Sequence, residues 1–182
     1  MRPLNLPNAL SVARICLVPV LAALLLSGDE WQAAAVFALG MGTDALDGYI
    51  ARTRDLVTDL GKLLDPIADK LFVGSAFICL VATERVEAWV VAVILTRELG
   101  VTGLRMLAKR EGVVIAANGL GKAKTLVQAL AVFALILADD PYGLWVQAVV
   151  AVTVVITLVS ALPYVSQVAR QRFAAAPRPL GP

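Results

Sequence analysis

The chain has 182 residues, 59% of them hydrophobic and 16% charged, with a mean hydropathy of +0.81 and a formal net charge of +2. A soluble domain is about one quarter charged and about half apolar, so this composition leaves too little polar surface for a water-exposed fold and points to an integral membrane protein. The near-neutral charge offers no footprint for nucleic acid.

Met1 to Pro7 carries no secretory cleavage pattern, so the first apolar segment is read as permanent. Crossing the hydrocarbon layer takes about 20 helical residues. On that scale helices are expected near 8–27, 30–53, 62–83, 86–108, 119–138 and 143–165, forming one all-α, six-span bundle over residues 1–173. Breaks fall at Gly28-Asp29-Glu30, Thr53 to Gly61, Thr83 to Val86, Lys109 to Asn118 and Asp139 to Tyr142. The proline-bearing tail, 174–182, reads as disordered. Cys16 and Cys79 lie far apart in apolar runs and read as small core side chains, with no disulfide or zinc framework. The chain has no histidine, which removes the commonest general base and transition-metal ligand.

Only the last segment is free of charge over a full span. The first has Asn8, Ser11 and Arg14 at its start; the second has Asp44, Asp47 and Arg52 at its end; the third has Asp65, Asp69 and Lys70 at its start. The fourth ends with Arg97, Glu98 and Arg105, and the fifth starts with Lys122 and Lys124. In an alternating bundle these five polar halves meet on one side of the membrane. Lys and Arg crowd the connections on that side (52–62 and 105–124) and the tail, whereas the opposite loops carry Asp29, Glu30, Glu84, Glu87, Asp139 and Asp140 against a single Arg85. The positive-inside rule then puts both termini and the polar halves in the cytoplasm, around a hydrated cavity.

Asp44 and Asp47 are three residues apart, and Asp65 and Asp69 four apart, so each pair shares a helix face. Pro66 is tolerated if the third helix begins only a few residues before it. Two antiparallel helices with a short connection would gather the four carboxylates. Four like charges in a partly desolvated site need cations, and all-oxygen donors select hard divalent ions. Two such ions make a clamp for phosphoryl transfer. Asp55 and Asp59, in the connection, read instead as a solvated helix end paired with nearby Lys and Arg.

The pattern Asp44-x-x-Asp47-Gly48-x-x-Ala51-Arg52, followed by Gly61-x-x-x-Asp65-x-x-x-Asp69, resembles the signature of the CDP-alcohol phosphotransferase family at every specified position. The length and the six spans agree with it over nearly the whole chain. The resemblance implies transfer of a substituted phosphate from a CDP-alcohol to a second alcohol, with release of CMP. Asp44, Asp47, Asp65 and Asp69 would hold two Mg²⁺ or Mn²⁺ ions on the diphosphate, with Asp69 also the general base. Gly48, Ala51, Arg52 and Gly61 would form the nucleotide site. The family also suggests a homodimer.

For the acceptor, Arg97 and Arg105 lie near one face of the fourth segment, and Lys122 and Lys124 start the fifth on the same side. Such a cationic cluster suits an acceptor that carries phosphate, although topology anchoring, or an Arg97–Glu98 contact, would explain the same residues. The stretches "LNLPNALSVAR" and "TREL…GLR" look like the subgroup that uses CDP-diacylglycerol and glycerol 3-phosphate to make phosphatidylglycerophosphate. By that similarity Asn8, Ser11 and Arg14 would join the substrate cavity; helix capping explains them nearly as well. Inositol phosphate, phosphatidylglycerol and serine stay open as acceptors. A divalent-cation transporter is the alternative from another class, but it would place acids near mid-span with access from both faces. A diacyl donor further requires a lateral opening between helices, which no sequence feature locates.

Overall fold

The computed structural model describes the backbone of residues 6–53, 59–110, 119–164 and 166, and the side chains of residues 8–43, 61, 64–107, 123–164 and 166. Six helices and no strands occur among the described residues: α1 Leu6–Ser27, α2 Glu30–Thr53, α3 Asp59–Ala82, α4 Ala88–Arg110, α5 Gly119–Leu137 and α6 Leu144–Val159. The expected tail, 174–182, lies outside the described residues.

Short turns join the helices in pairs, which forces antiparallel neighbours. After α1, Gly28 takes a left-handed φ of 83°, and the Asp29 N–H reaches back to the Leu24 carbonyl at 3.0 Å. After α3 the same closure recurs with Glu84 at φ 57° and the Arg85 N–H on the Leu80 carbonyl at 2.8 Å. These six-to-one bonds satisfy carbonyls that a helix end leaves open. Arg85 then ties three connections together. Its Nε donates to the Leu135 carbonyl at 2.6 Å, its second guanidinium nitrogen donates to Ala138 at 2.5 Å, and the third pairs with Glu30. The lone cation at this end of the bundle therefore caps α5 from the α3–α4 turn.

The apolar core sits in the half of the bundle nearest these turns. Phe37 of α2 stacks on Phe72 of α3 at 5.6 Å and meets Phe133 of α5 edge-on at 5.0 Å, with Leu21, Phe77, Leu80, Ile94 and Leu135 fully buried around them. Helix α1 packs along both α2 and α3, α5 packs against α6 and α2, and α4 against α6 and α3. Gly40 lets α2 approach α3: a Cβ there would lie 2.2 Å from the Phe72 ring.

Large apolar side chains also stand on the outside. Exposed Val20, Leu39, Ile78, Leu99, Leu130 and Val155 represent all six helices, a surface that water does not tolerate in a monomer. Two segments, Asn8–Ser27 and Leu144–Tyr164, are long and apolar enough to cross a membrane. Trp31, Trp89 and Trp145 are all exposed, and each stands at the first turn of an even-numbered helix. All three therefore lie at the turn-bearing end, as a membrane-interface aromatic belt would.

Two boundaries differ from expectation. Helix α3 begins at Asp59, so Pro66 falls inside it rather than near its first turn. The missing N–H leaves the carbonyl four residues earlier without its helical partner. Helix α6 ends at Val159; a turn at Ser160 and Ala161 interrupts it, and residues 162–164, Pro163 among them, are helical again.

Candidate active site

Helix α1 brackets the two motif helices. Its residues Asn8, Ser11 and Arg14, at a spacing of three, are all buried. They lie inside α1 rather than at its cap, which begins at Leu6. Ser11 Oγ donates to Asp65 Oδ1 of α3 at 2.5 Å. Arg14 Nε donates to the Gly40 carbonyl of α2 at 3.2 Å, one turn before Asp44, and Thr43 Oγ1 donates to the same carbonyl at 2.7 Å. One helix thus holds α3 at its first motif aspartate and α2 just ahead of its own.

Asp65 and Asp69 are half-buried on one face of α3, and Gly61, two turns before Asp69 on that stripe, is buried. Asp44, Asp47, Gly48, Ala51 and Arg52 belong to α2 and Lys122 to α5, but their side chains lie outside the described residues. Among the described residues no three Asp, Glu, His or Cys gather at metal-ligating distance. The donor chemistry of α3 nevertheless fits a hard divalent ion. Its two carboxylates are one turn apart, and Asp65 already has one oxygen oriented by a hydroxyl, the kind of outer support that metal-binding carboxylates use.

The cationic residues form a connected group. Glu98 Oε1 accepts from Lys124 Nζ at 2.5 Å and from Arg97 at 2.9 Å, and Arg97 also donates to Ser160 Oγ at 2.8 Å. With 8% of its side chain exposed, Arg97 keeps a buried Nε that has no hydrogen-bond partner among the described residues. Two turns further along α4, Arg105 lies over the Tyr164 ring at 4.5 Å and donates to its hydroxyl.

Asp69, Lys70, Glu98 and Lys124 line one cavity of about 170 Å³ between α3, α4 and α5. The last motif aspartate and the inner edge of the cationic group thus face a common space. Arg97 adjoins it through the carboxylate it shares with Lys124. Arg105 is held toward Tyr164 and does not line it. The contact between Arg97 and Glu98 was legible as a possibility in the sequence; the hub role of Glu98 and the clamps at Ser160 and Tyr164 were not. The one available signal was that Ser160 and Tyr164 stand four apart near the end of the last apolar segment.

Comparison with known proteins agrees with the motif. The profile described as CDP-alcohol phosphatidyltransferase matches residues 4–160. The chain is 43% identical to a Bacillus subtilis (strain 168) protein named CDP-diacylglycerol–glycerol-3-phosphate 3-phosphatidyltransferase, covering 77% of this chain and 80% of that one. It is 41% identical to a protein of the same name from Rickettsia typhi, again over 77% and 80%. A Mycobacterium tuberculosis (strain H37Rv) protein named Probable phosphatidylglycerophosphate synthase is 40% identical over 91% of this chain and 82% of its own.

Proposed function

Because the chain belongs to the CDP-alcohol phosphatidyltransferase family, we propose that it transfers the phosphatidyl group of CDP-diacylglycerol to glycerol 3-phosphate, releasing CMP and forming phosphatidylglycerophosphate. The observation that carries this reading is the shared cavity: the motif aspartate Asp69 and the cation Lys124 line it together. An acceptor with both a nucleophilic hydroxyl and a phosphate needs these two groups in one space.

In the proposed reaction the acceptor hydroxyl oxygen attacks the lipid-bearing phosphorus of the diphosphate. The bond from that phosphorus to the bridging oxygen breaks, and CMP leaves with the electron pair. Asp69 takes the hydroxyl proton, while Asp65, held by Ser11, keeps its carboxylate turned to the diphosphate. Lys124 would receive the acceptor phosphate, with Arg97 held beside it through Glu98, and Arg105 and Lys122 guiding it from the cytoplasm. Asp44, Asp47, Asp65 and Asp69 would bind two Mg²⁺ or Mn²⁺ ions, which supply neutralisation of the diphosphate and a more acidic acceptor hydroxyl. Gly48, Ala51, Arg52 and Gly61 would seat the nucleotide.

This reading takes all six helices as spans, with the carboxylate end cytoplasmic. Three features support it: apolar side chains exposed on every helix, tryptophans gathered at the opposite end, and Lys and Arg concentrated in the carboxylate-side connections.

The test is CMP release by detergent-purified protein given CDP-diacylglycerol and Mg²⁺ or Mn²⁺, with Asp69→Asn as the blank. Glycerol 3-phosphate, inositol phosphate, serine and phosphatidylglycerol are supplied singly. Metal-dependent release with glycerol 3-phosphate alone is the expected result. Release with another acceptor would keep the chemistry and overturn the acceptor; release with none would sink the reading.

A further inference from the structure

The two cations that meet on Glu98 use only one of its oxygens. Lys124 and Arg97 both donate to Oε1, at 2.5 and 2.9 Å. The second carboxylate oxygen, Oε2, accepts no hydrogen bond among the described residues, yet it is not closed off as a buried, partnerless atom. The side chain is 15% exposed, and it lines the cavity together with Asp69 and Lys124. An ionised carboxylate only accepts, so Oε2 is open to an incoming donor. Its place is fixed before any substrate arrives: Lys124 holds it from α5, and Arg97 holds it from α4 while itself bound to Ser160 at 2.8 Å. The rest of the wall offers little that could compete. Val73, Phe77, Ile94 and Leu95 are apolar, and the Gln128 amide leans on Thr157 at 3.4 Å.

We infer that Glu98 is a specificity-determining residue for the acceptor: its Oε2 accepts a hydrogen bond from a hydroxyl of the acceptor that does not react. This rests on the acceptor proposed above and adds what reads its uncharged part. In glycerol 3-phosphate the middle hydroxyl stands on the carbon between the reacting carbon and the phosphate-bearing one. With the reacting hydroxyl at Asp69 and the phosphate at Lys124, that middle hydroxyl falls between them, where the partner of Lys124 is Glu98. A hydroxyl donating to a carboxylate makes one of the stronger hydrogen bonds, and it also turns a proton toward Glu98 where the acceptor phosphate would otherwise only repel it. The site therefore selects polyol phosphates over alkanediol phosphates that lack this hydroxyl. A carboxylate serving only as counterion to Lys124 and Arg97 would treat the two alike, since both carry the phosphate.

The test sets glycerol 3-phosphate against 3-hydroxypropyl phosphate, which keeps the reacting hydroxyl and the phosphate and lacks the middle hydroxyl. Full-length protein in nanodiscs receives each with CDP-diacylglycerol and Mg²⁺, and CMP release is followed. The wild type should favour glycerol 3-phosphate in kcat/KM by about 10–100-fold, the scale of one hydrogen bond to a charged group. In Glu98→Gln both acceptors should lose activity as the cations lose their counterion, but the gap between them should narrow to about threefold or less, the sign of direct coupling between side chain and hydroxyl. Glu98→Asp keeps the charge for the cations and draws the carboxylate back from the cavity, so it should narrow the gap with a smaller loss on both. Equal wild-type rates would overturn the proposal. A gap that survives both substitutions would also overturn it, giving the hydroxyl to another wall group such as Gln128. Calorimetric titration of the two phosphates without donor separates this contact from the reaction. A preference for glycerol 3-phosphate in protein that releases no CMP would discard the transfer and keep the contact, whereas CMP release from both acceptors alike would keep the transfer and discard the contact.

Discussion

Ser11 and Asp65, 54 residues apart in the chain, are joined by a hydrogen bond of 2.5 Å from hydroxyl to carboxylate. Outer partners of metal-binding carboxylates, when removed, typically weaken metal affinity or activity by about 10–100-fold. Ser11→Ala should therefore raise the Mn²⁺ or Mg²⁺ concentration for half-maximal activity by about tenfold, with most of kcat recovered at saturating metal. Ser11→Thr, which keeps the hydroxyl, should recover part of the affinity. An unchanged metal titration in Ser11→Ala would mean that this bond only helps pack α1 on α3.

The motif and connection acids should separate cleanly. Asp69→Asn should lower turnover by about 10²–10⁴-fold, the range for losing a positioned acid–base group, and Asp65→Asn should be comparably damaging through the metal. Asp55→Asn and Asp59→Asn should retain most activity. CMP release at saturating substrates measures all four, and sensitivity at Asp55 or Asp59 matching that at Asp69 would displace the proposed site.

Arg97→Ala and Arg105→Ala should each raise KM for glycerol 3-phosphate by about 10–100-fold, the scale of one or two hydrogen bonds to a charged group, and KM for CDP-diacylglycerol much less. Tyr164→Phe keeps the ring beneath Arg105 and removes only the hydroxyl that accepts from it, so its effect on the acceptor KM should be the smallest of the three. Parallel increases in both KM values would show that these arginines hold α4 to α6 instead of binding substrate.

Gly40→Ala tests how α2 is set against α3. The added methyl would lie 2.2 Å from a Phe72 ring that is fully buried and stacked on Phe37, so the ring has nowhere to turn. Overpacking of this kind costs about 1–3 kcal/mol, read as earlier thermal unfolding in detergent. Adding Phe72→Leu, which removes the ring at that point, should recover part of the loss; a double variant less stable than both singles would mean that the stack matters more than the approach.

Sequence periodicity and spacing alone determined a good deal. Six helical segments, the carboxylate pair on one face of α3, the segregation of charge to one end, and the family all follow from short-range regularities: 3.6 residues per turn, runs of apolar side chains, and a motif of eight fixed residues. Helix boundaries blurred where Pro66 and Pro163 sit, because a proline restricts local backbone without saying whether neighbouring helices will carry the chain past it. Only the tertiary structure decided which distant groups touch. Ser11 reaches Asp65, Arg14 reaches the Gly40 carbonyl, and Glu98 serves two cations at once. None of these pairings leaves a periodic trace, since they depend on how α1 wedges against α2 and α3 and on how deeply α4 meets α5. The same holds for the cavity that Glu98 shares with Asp69. Its lining residues can be read off any sequence, but the space between them exists only once a second helix stands across from the first.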